Sequence, residues 1–84
     1  MTLELIPKHD NRKSFYNKAI VEQENGVLKL YSYNTLVCVI DNGKPKVIMT
    51  YSNTTLRHIK EFLKQNGFKA DTKSQIIKDY MQNG

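Results

Sequence analysis

The sequence predicts an α+β fold: a four-stranded antiparallel β-meander followed by two amphipathic helices packed on one face of the sheet. Three observations carry this expectation. Turn signals at Asn25-Gly26, Asn34-Thr35 and Asn42-Gly43 separate runs rich in β-branched and aromatic residues. After Ser52 the apolar residues recur at three- and four-residue spacing, the mark of a helix. Thr72-x-x-Gln75 is a capping box, which opens a second helix.

The elements follow in order. Residues 1–13 are mixed; Leu3, Leu5 and Ile6 suit a small edge strand that Pro7 stops, and 9–13 reads as a polar loop. Residues 15–23, FYNKAIVEQ, form the first clear strand, and Asn25-Gly26 turns it into the second, 27–33. Asn34-Thr35 is a tight reversal without glycine. Residues 36–40, LVCVI, are apolar on both faces, as in a strand covered on both sides. Residues 41–45, DNGKP, make a turn, and 46–51, KVIMTY, complete the meander. Ser52, Asn53 and Thr54 offer N-cap oxygens. Leu56, Ile59, Phe62 and Leu63 draw one apolar stripe, and Gly67 ends the helix with Phe68 folding back on it. Ile76, Ile77, Tyr80 and Met81 make the apolar side of a second helix. The helical part spans 54–82, and the whole of 1–84 is one domain.

Composition narrows the function classes. A chain of 84 residues has a small core. Its one cysteine, Cys38, allows no internal disulfide, and with His9 and His58 alone no four-ligand zinc set can be drawn. No metal and no cofactor is expected. No apolar run reaches the length of a membrane span and no signal peptide is visible. A lone thiol in an apolar run suits a reducing compartment, so a cytoplasmic location and no membrane partner are expected. Thirteen Lys and Arg against eight Asp and Glu leave a net charge of +5. That sign suggests nucleic acid or an acidic protein surface as partner, and it also keeps a small domain soluble.

No catalytic set emerges, and an enzyme is not expected. Cys38 sits inside LVCVI, where a thiol packs as a small hydrophobe. His58 borders the apolar stripe of the first helix, a place for a core-edge imidazole more than for a proton carrier. The carboxylates are scattered and no pair is set up for acid–base work. The basic residues are more ordered. At 100° per residue from Leu56, Arg57, Lys60 and Lys64 fall at about 100°, 40° and 80°, inside one stripe. Glu61 borders that stripe and stands i,i+4 from Arg57, in position to pair with it. The stripe reads as a solvated helix face or as a surface for an anionic partner, which Lys69 and Lys73 would extend.

Tyr31 and Tyr33 alternate in the second strand and so are expected on one sheet face, with Lys29. Three readings of that face stand side by side: aromatic cross-strand packing, a protein interface, and a stacking platform for single-stranded nucleic acid. The double-sided apolar run LVCVI adds a homodimer through the sheet face to the second reading.

The stretches SFYNKA (14–19), LYSYNTLVCVI (30–40) and TTLRHIKEFLKQNGF (54–68) give the chain a resemblance. It resembles a small, functionally uncharacterised domain family of phages and mobile elements of Gram-positive bacteria, over residues 14–68. The family pattern reads Y-S-Y-N-T and then T-T-x-R-H-I-x-E-F-L, with alanine usual where Cys38 stands. Its positions here are Tyr31, Tyr33, Asn34, Thr35, Thr54, Thr55, Arg57 and His58. The resemblance implies a small phage-type accessory protein and no mechanism. Together with the small size and the absence of a catalytic set, it leads to the expectation of a protein in the bacterial host's cytoplasm that binds and inhibits a host protein or nucleoprotein complex, with an anti-CRISPR role as the concrete form. The alternative is a protein that binds nucleic acid directly, through the lysine stripe and the tyrosines. In either case the expected partner-binding residues are Tyr31, Tyr33, Arg57, His58, Lys60 and Lys64.

Overall fold

Three two-residue turns organise the sheet. Asn25-Gly26 (φ 52° and 79°), Tyr33-Asn34 (51° and 68°) and Asn42-Gly43 (51° and 83°) each hold the pair of positive φ angles that matches strand twist in a hairpin. The computed structural model, which describes residues 1–50 and 52–81, shows β1 (Thr2–Glu4), β2 (Ala19–Glu24), β3 (Val27–Ser32), β4 (Thr35–Asp41) and β5 (Lys44–Val47). They lie in chain order in one sheet, every neighbouring pair antiparallel. Helices α1 (Asn53–Gln65) and α2 (Lys73–Tyr80) follow, so the class is α+β as the sequence predicts.

The sheet has five strands, not four. The edge segment pairs with β2, Leu3 opposite Val21, and Leu5 beyond it enters the core. The first long strand starts at Ala19, not residue 15, because Tyr16 and Asn17 adopt positive φ (52° and 62°) and break it. The second hairpin turns one residue earlier than expected, at Tyr33-Asn34, so β3 ends at Ser32. Lys44 and Pro45 belong to β5 and not to the turn; on an outermost strand a proline lacking a donor is tolerated. Tyr51, the expected end of the last strand, and residues 82–84 lie outside the described residues.

A β-bulge overturns the reading of LVCVI. Leu30 pairs with Cys38 and Tyr31 with Leu36, which leaves Val37 as an extra residue in β4. Val37 and Cys38 are both fully buried in the one core, while Leu36 and Val39 are half-buried. The run is apolar because two consecutive side chains enter the same core, not because both sheet faces are covered. The core joins Ala19, Leu30, Ile40 and Val47 of the sheet to Ile59, Phe62 and Leu63 of α1 and Ile76 of α2.

Local chemistry sets the helix ends as the sequence indicates. The Ser52 hydroxyl accepts from the Thr55 amide at 3.2 Å. Gly67 (φ 85°) donates to the Lys64 carbonyl and Phe68 to that of Leu63, at 3.1 and 2.9 Å, the paired bonds of a Schellman ending. In α2 the Thr72 hydroxyl accepts from the Gln75 amide at 3.1 Å, and the Gln75 side chain accepts in return from the Asp71 amide at 2.8 Å. Ile77, counted above on the apolar side of α2, is 39% exposed. The segment between β1 and β2 runs along α1: the Gln65 amide donates to the Ile6 carbonyl at 2.7 Å, and the His9 amide to Glu61 at 2.8 Å.

Candidate functional site

Two Tyr-Asn turns meet at one end of the sheet. The first, Tyr16-Asn17, is held by the Ser14 hydroxyl, which accepts from the Tyr16 amide at 2.9 Å, and by the Lys18 amide donating to the Phe15 carbonyl at 2.9 Å. The second, Tyr33-Asn34, is tied to the first: the Tyr33 amide donates to the Lys18 carbonyl at 2.9 Å. Both tyrosines have left-handed backbone, φ 52° and 51°, which a bulky residue rarely adopts. Their rings stay in solvent, 73% exposed for Tyr16 and 51% for Tyr33.

Under the second turn lies a polar network. Ser32 ends β3 on the core side, its hydroxyl 2.8 Å from His58 Nδ1 and 3.2 Å from the Thr55 hydroxyl. His58 is 1% exposed and lies between two rings, Phe15 at 4.5 Å and Tyr33 at 5.8 Å between centroids. Burial pushes its pKa down to about 4; nearby Asp10 opposes this and Arg12 adds to it. The imidazole is therefore neutral at pH 7. A serine beside a histidine resembles part of a hydrolytic dyad, but Ser32 is 2% exposed and its other partner is Thr55. In this geometry the pair ties β3 to α1 and supports the Tyr33 ring.

Cations line the cleft between the two turns, while the Glu4 carboxylate accepts from the Asn17 amide at 3.1 Å on the first turn. This cleft, of about 170 Å³, is lined by Arg12, Lys18 and Arg57, with Thr54 and His58 at the start of α1. Arg12 and Lys18 are exposed. Arg57 is held by Asp10, Nη1 to carboxylate oxygen 3.1 Å. An adjoining cleft of about 400 Å³ carries Arg57 and Lys60 with His9 and Asp10.

The six residues expected to bind a partner are thus distributed. Tyr33, Arg57 and His58 come together at the first cleft, and Lys60 joins Arg57 at the second. Lys64 stands one turn further along α1, half-buried. Tyr31 is elsewhere: it faces away from the helices, opposite Ile20 and Leu36. Tyr31 and Tyr33 therefore do not share a face, because Tyr33 has left the strand for the turn. Nor is His58 a surface group; it lies beneath one. Glu61 does not pair with Arg57. It is buried, accepting from the His9 amide at 2.8 Å and from Gln65 at 2.6 Å. Burial alone would raise its pKa, but these bonds and that from the Lys8 backbone win, and the pKa falls. Cys38 is fully buried, and desolvation drives its pKa to about 12 against a weak opposing bond from Val39, so the thiol stays protonated. Among the described residues no cluster of His, Cys, Asp and Glu is arranged to hold a metal, and no helix is long and apolar enough to cross a membrane.

Sequence reasoning missed Tyr16, Arg12, Lys18 and Asp10. One signal for them was present: the dipeptide Tyr-Asn occurs at 16–17 and again at 33–34, and asparagine tolerates left-handed backbone.

The chain belongs to a family of unknown function, DUF8033, whose model matches residues 1–79. None of the curated proteins and none of the solved structures compared with the chain matches it.

Proposed function

We propose that the protein is a non-enzymatic binding protein and that the twin-turn face is where it meets a nucleoprotein, contacting the nucleic-acid strand. The observation that carries this reading is the pair of exposed tyrosines, each in a left-handed conformation that costs about 1–2 kcal/mol and flanked by Arg12, Lys18 and Arg57. Backbone strain kept at a surface turn is a mark of a binding or switch region. Exposed rings stack on bases, and the guanidinium and ammonium groups meet phosphates. The buried, protonated Cys38 and the sealed Ser32–His58 pair support binding over catalysis. Inhibition of a host complex, anti-CRISPR-like, by a phage or mobile-element accessory protein is the concrete biological form of this proposal. The motif resemblance supports it.

The test is binding of labelled single-stranded and duplex oligonucleotides at low and moderate salt. The expected result is tighter binding to the single strand, falling steeply with salt as counterions are released. Tyr33→Ala should lose about tenfold, in line with about 1–3 kcal/mol per stacked base. Arg12→Glu with Lys18→Glu should lose more and flatten the salt slope. Absence of binding at low salt, or binding indifferent to salt, overturns the nucleic-acid contact.

A further inference from the structure

The other face of the sheet carries a second pattern, independent of the twin-turn site. Both helices pack on the side of Leu30, Cys38, Ile40 and Val47. The opposite side has no described helix over it, and the register sorts its residues into three rows. One row runs Ile20, Tyr31, Leu36, with Ile48 just beyond β5. The second runs Glu22, Lys29, Val39, Lys46. The third runs Glu24, Val27, Asp41, Lys44. The middle strands present Tyr31, Val27, Leu36 and Val39 with one charge each, Lys29 and Asp41, while the β2 flank carries Glu22 and Glu24 and the β5 flank Lys44 and Lys46.

We propose that this face is the contact between two copies of the chain, related by a two-fold axis parallel to the strands and passing between β3 and β4. Such an axis turns the β2–β5 part of the face onto itself and leaves β1, with Thr2 and Glu4 beside Glu22 and Ile20, outside the strand-on-strand overlap. Strand β2 comes over β5 of the second copy, and β3 over its β4. The first row then places Ile20 on Ile48 and Tyr31 on Leu36. The other two place Glu22 over Lys46 and Glu24 over Lys44, and symmetry makes every one of these contacts twice. Lys29 and Asp41 fall over valines, and each has an opposite charge directly across its own sheet, Glu22 and Lys44. The pairs lie about 7 Å to either side of the axis, given about 4.8 Å between strands, so the usual twist between packed sheets leaves them in reach. A two-fold running across the strands would set β2 on β2 and oppose like charges.

Each charged flank also carries a depression. A shallow depression of about 210 Å³ is lined by Glu22, Glu24 and Val27, and another of about 400 Å³ by Val39, Lys44 and Lys46. Ile48, 37% exposed, and the half-buried Ile20, Tyr31, Leu36 and Val39 supply the apolar part of a dimer interface.

Sedimentation equilibrium over rising concentration tests the proposal. The wild-type chain should show dimer mass, dissociating on dilution. The pair Glu22→Lys, Glu24→Lys and the pair Lys44→Glu, Lys46→Glu should each weaken self-association at least about tenfold, because like charges then face each other. All four positions are surface charges, and circular dichroism should show both variants folded. Mixed in equal amounts, the two variants should form a heterodimer, since every reversed pair is again complementary. A wild-type monomer at high concentration overturns the proposal. So do variants that still dimerise alone, or a mixture that stays monomeric.

Discussion

At the residue scale, His58 shows how a side chain can be found by its sequence position and still be misplaced. Its position on the border of the helix stripe was legible, because helical periodicity fixes direction. That it lies beneath Tyr33 was not, because no local pattern reports that a strand will end at Ser32 and lift the next residue over the helix. The burial has a measurable consequence. The folded pKa is about 4 against an ordinary 6.5, so between those values the unfolded chain takes up a proton that the folded one refuses. Above pH 6.5 the group contributes no pH dependence. As pH falls from 6.5 toward 4, folding loses up to about 3 kcal/mol, at 1.36 kcal/mol per unit. Denaturant midpoints measured across that range should decline, and His58→Gln should flatten the decline. Glu61, with its depressed pKa, contributes stability that is lost as pH falls below its ordinary 4.5, so the decline between 6.5 and 4.5 is the part that belongs to His58.

At the element scale, caps and glycine turns were readable because their chemistry is local. The Gly67 ending and the Thr72 box involve atoms within a few residues. The bulge at Val37 was not readable, because it depends on β3 and β4 together. An apolar run alone does not distinguish a bulge from a strand covered twice. Two glycines separate backbone cost from crowding. Gly67 (φ 85°) has open space where a Cβ would stand, so Gly67→Ala should cost about 1–2 kcal/mol for the backbone alone. Gly26 (φ 79°) is in the first hairpin turn, and its Cβ would stand 2.8 Å from the Asn42 side-chain oxygen of the third. Gly26→Ala should therefore lose the same amount plus the displaced Asn42 amide, whose bond to Asp41 is exposed and weak. Thermal melts should rank Gly26→Ala below Gly67→Ala by less than about 1 kcal/mol.

At the scale of the whole molecule, the antiparallel meander and the helices on one face were legible in turn signals and periodicity. The twin-turn face was not. It is assembled from residues 12–18, 33 and 54–58, and only tertiary structure brings these together. Cys38 reports on the integrity of that structure. It is the only thiol, fully buried and held protonated, so a thiol reagent should label it at the rate of global opening. Labelling should follow the denaturant unfolding curve; prompt reaction in native buffer would mean that the core opens locally around β4. Finally, β5 bears on how the protein avoids runaway association. The sequence Lys44-Pro45-Lys46 gives this outer strand two ammonium groups and a residue with no amide donor, a poor template for a further strand. The sheet face that bears Tyr31 can then be left open to a partner while the edge beside it is blunted against fibrous growth.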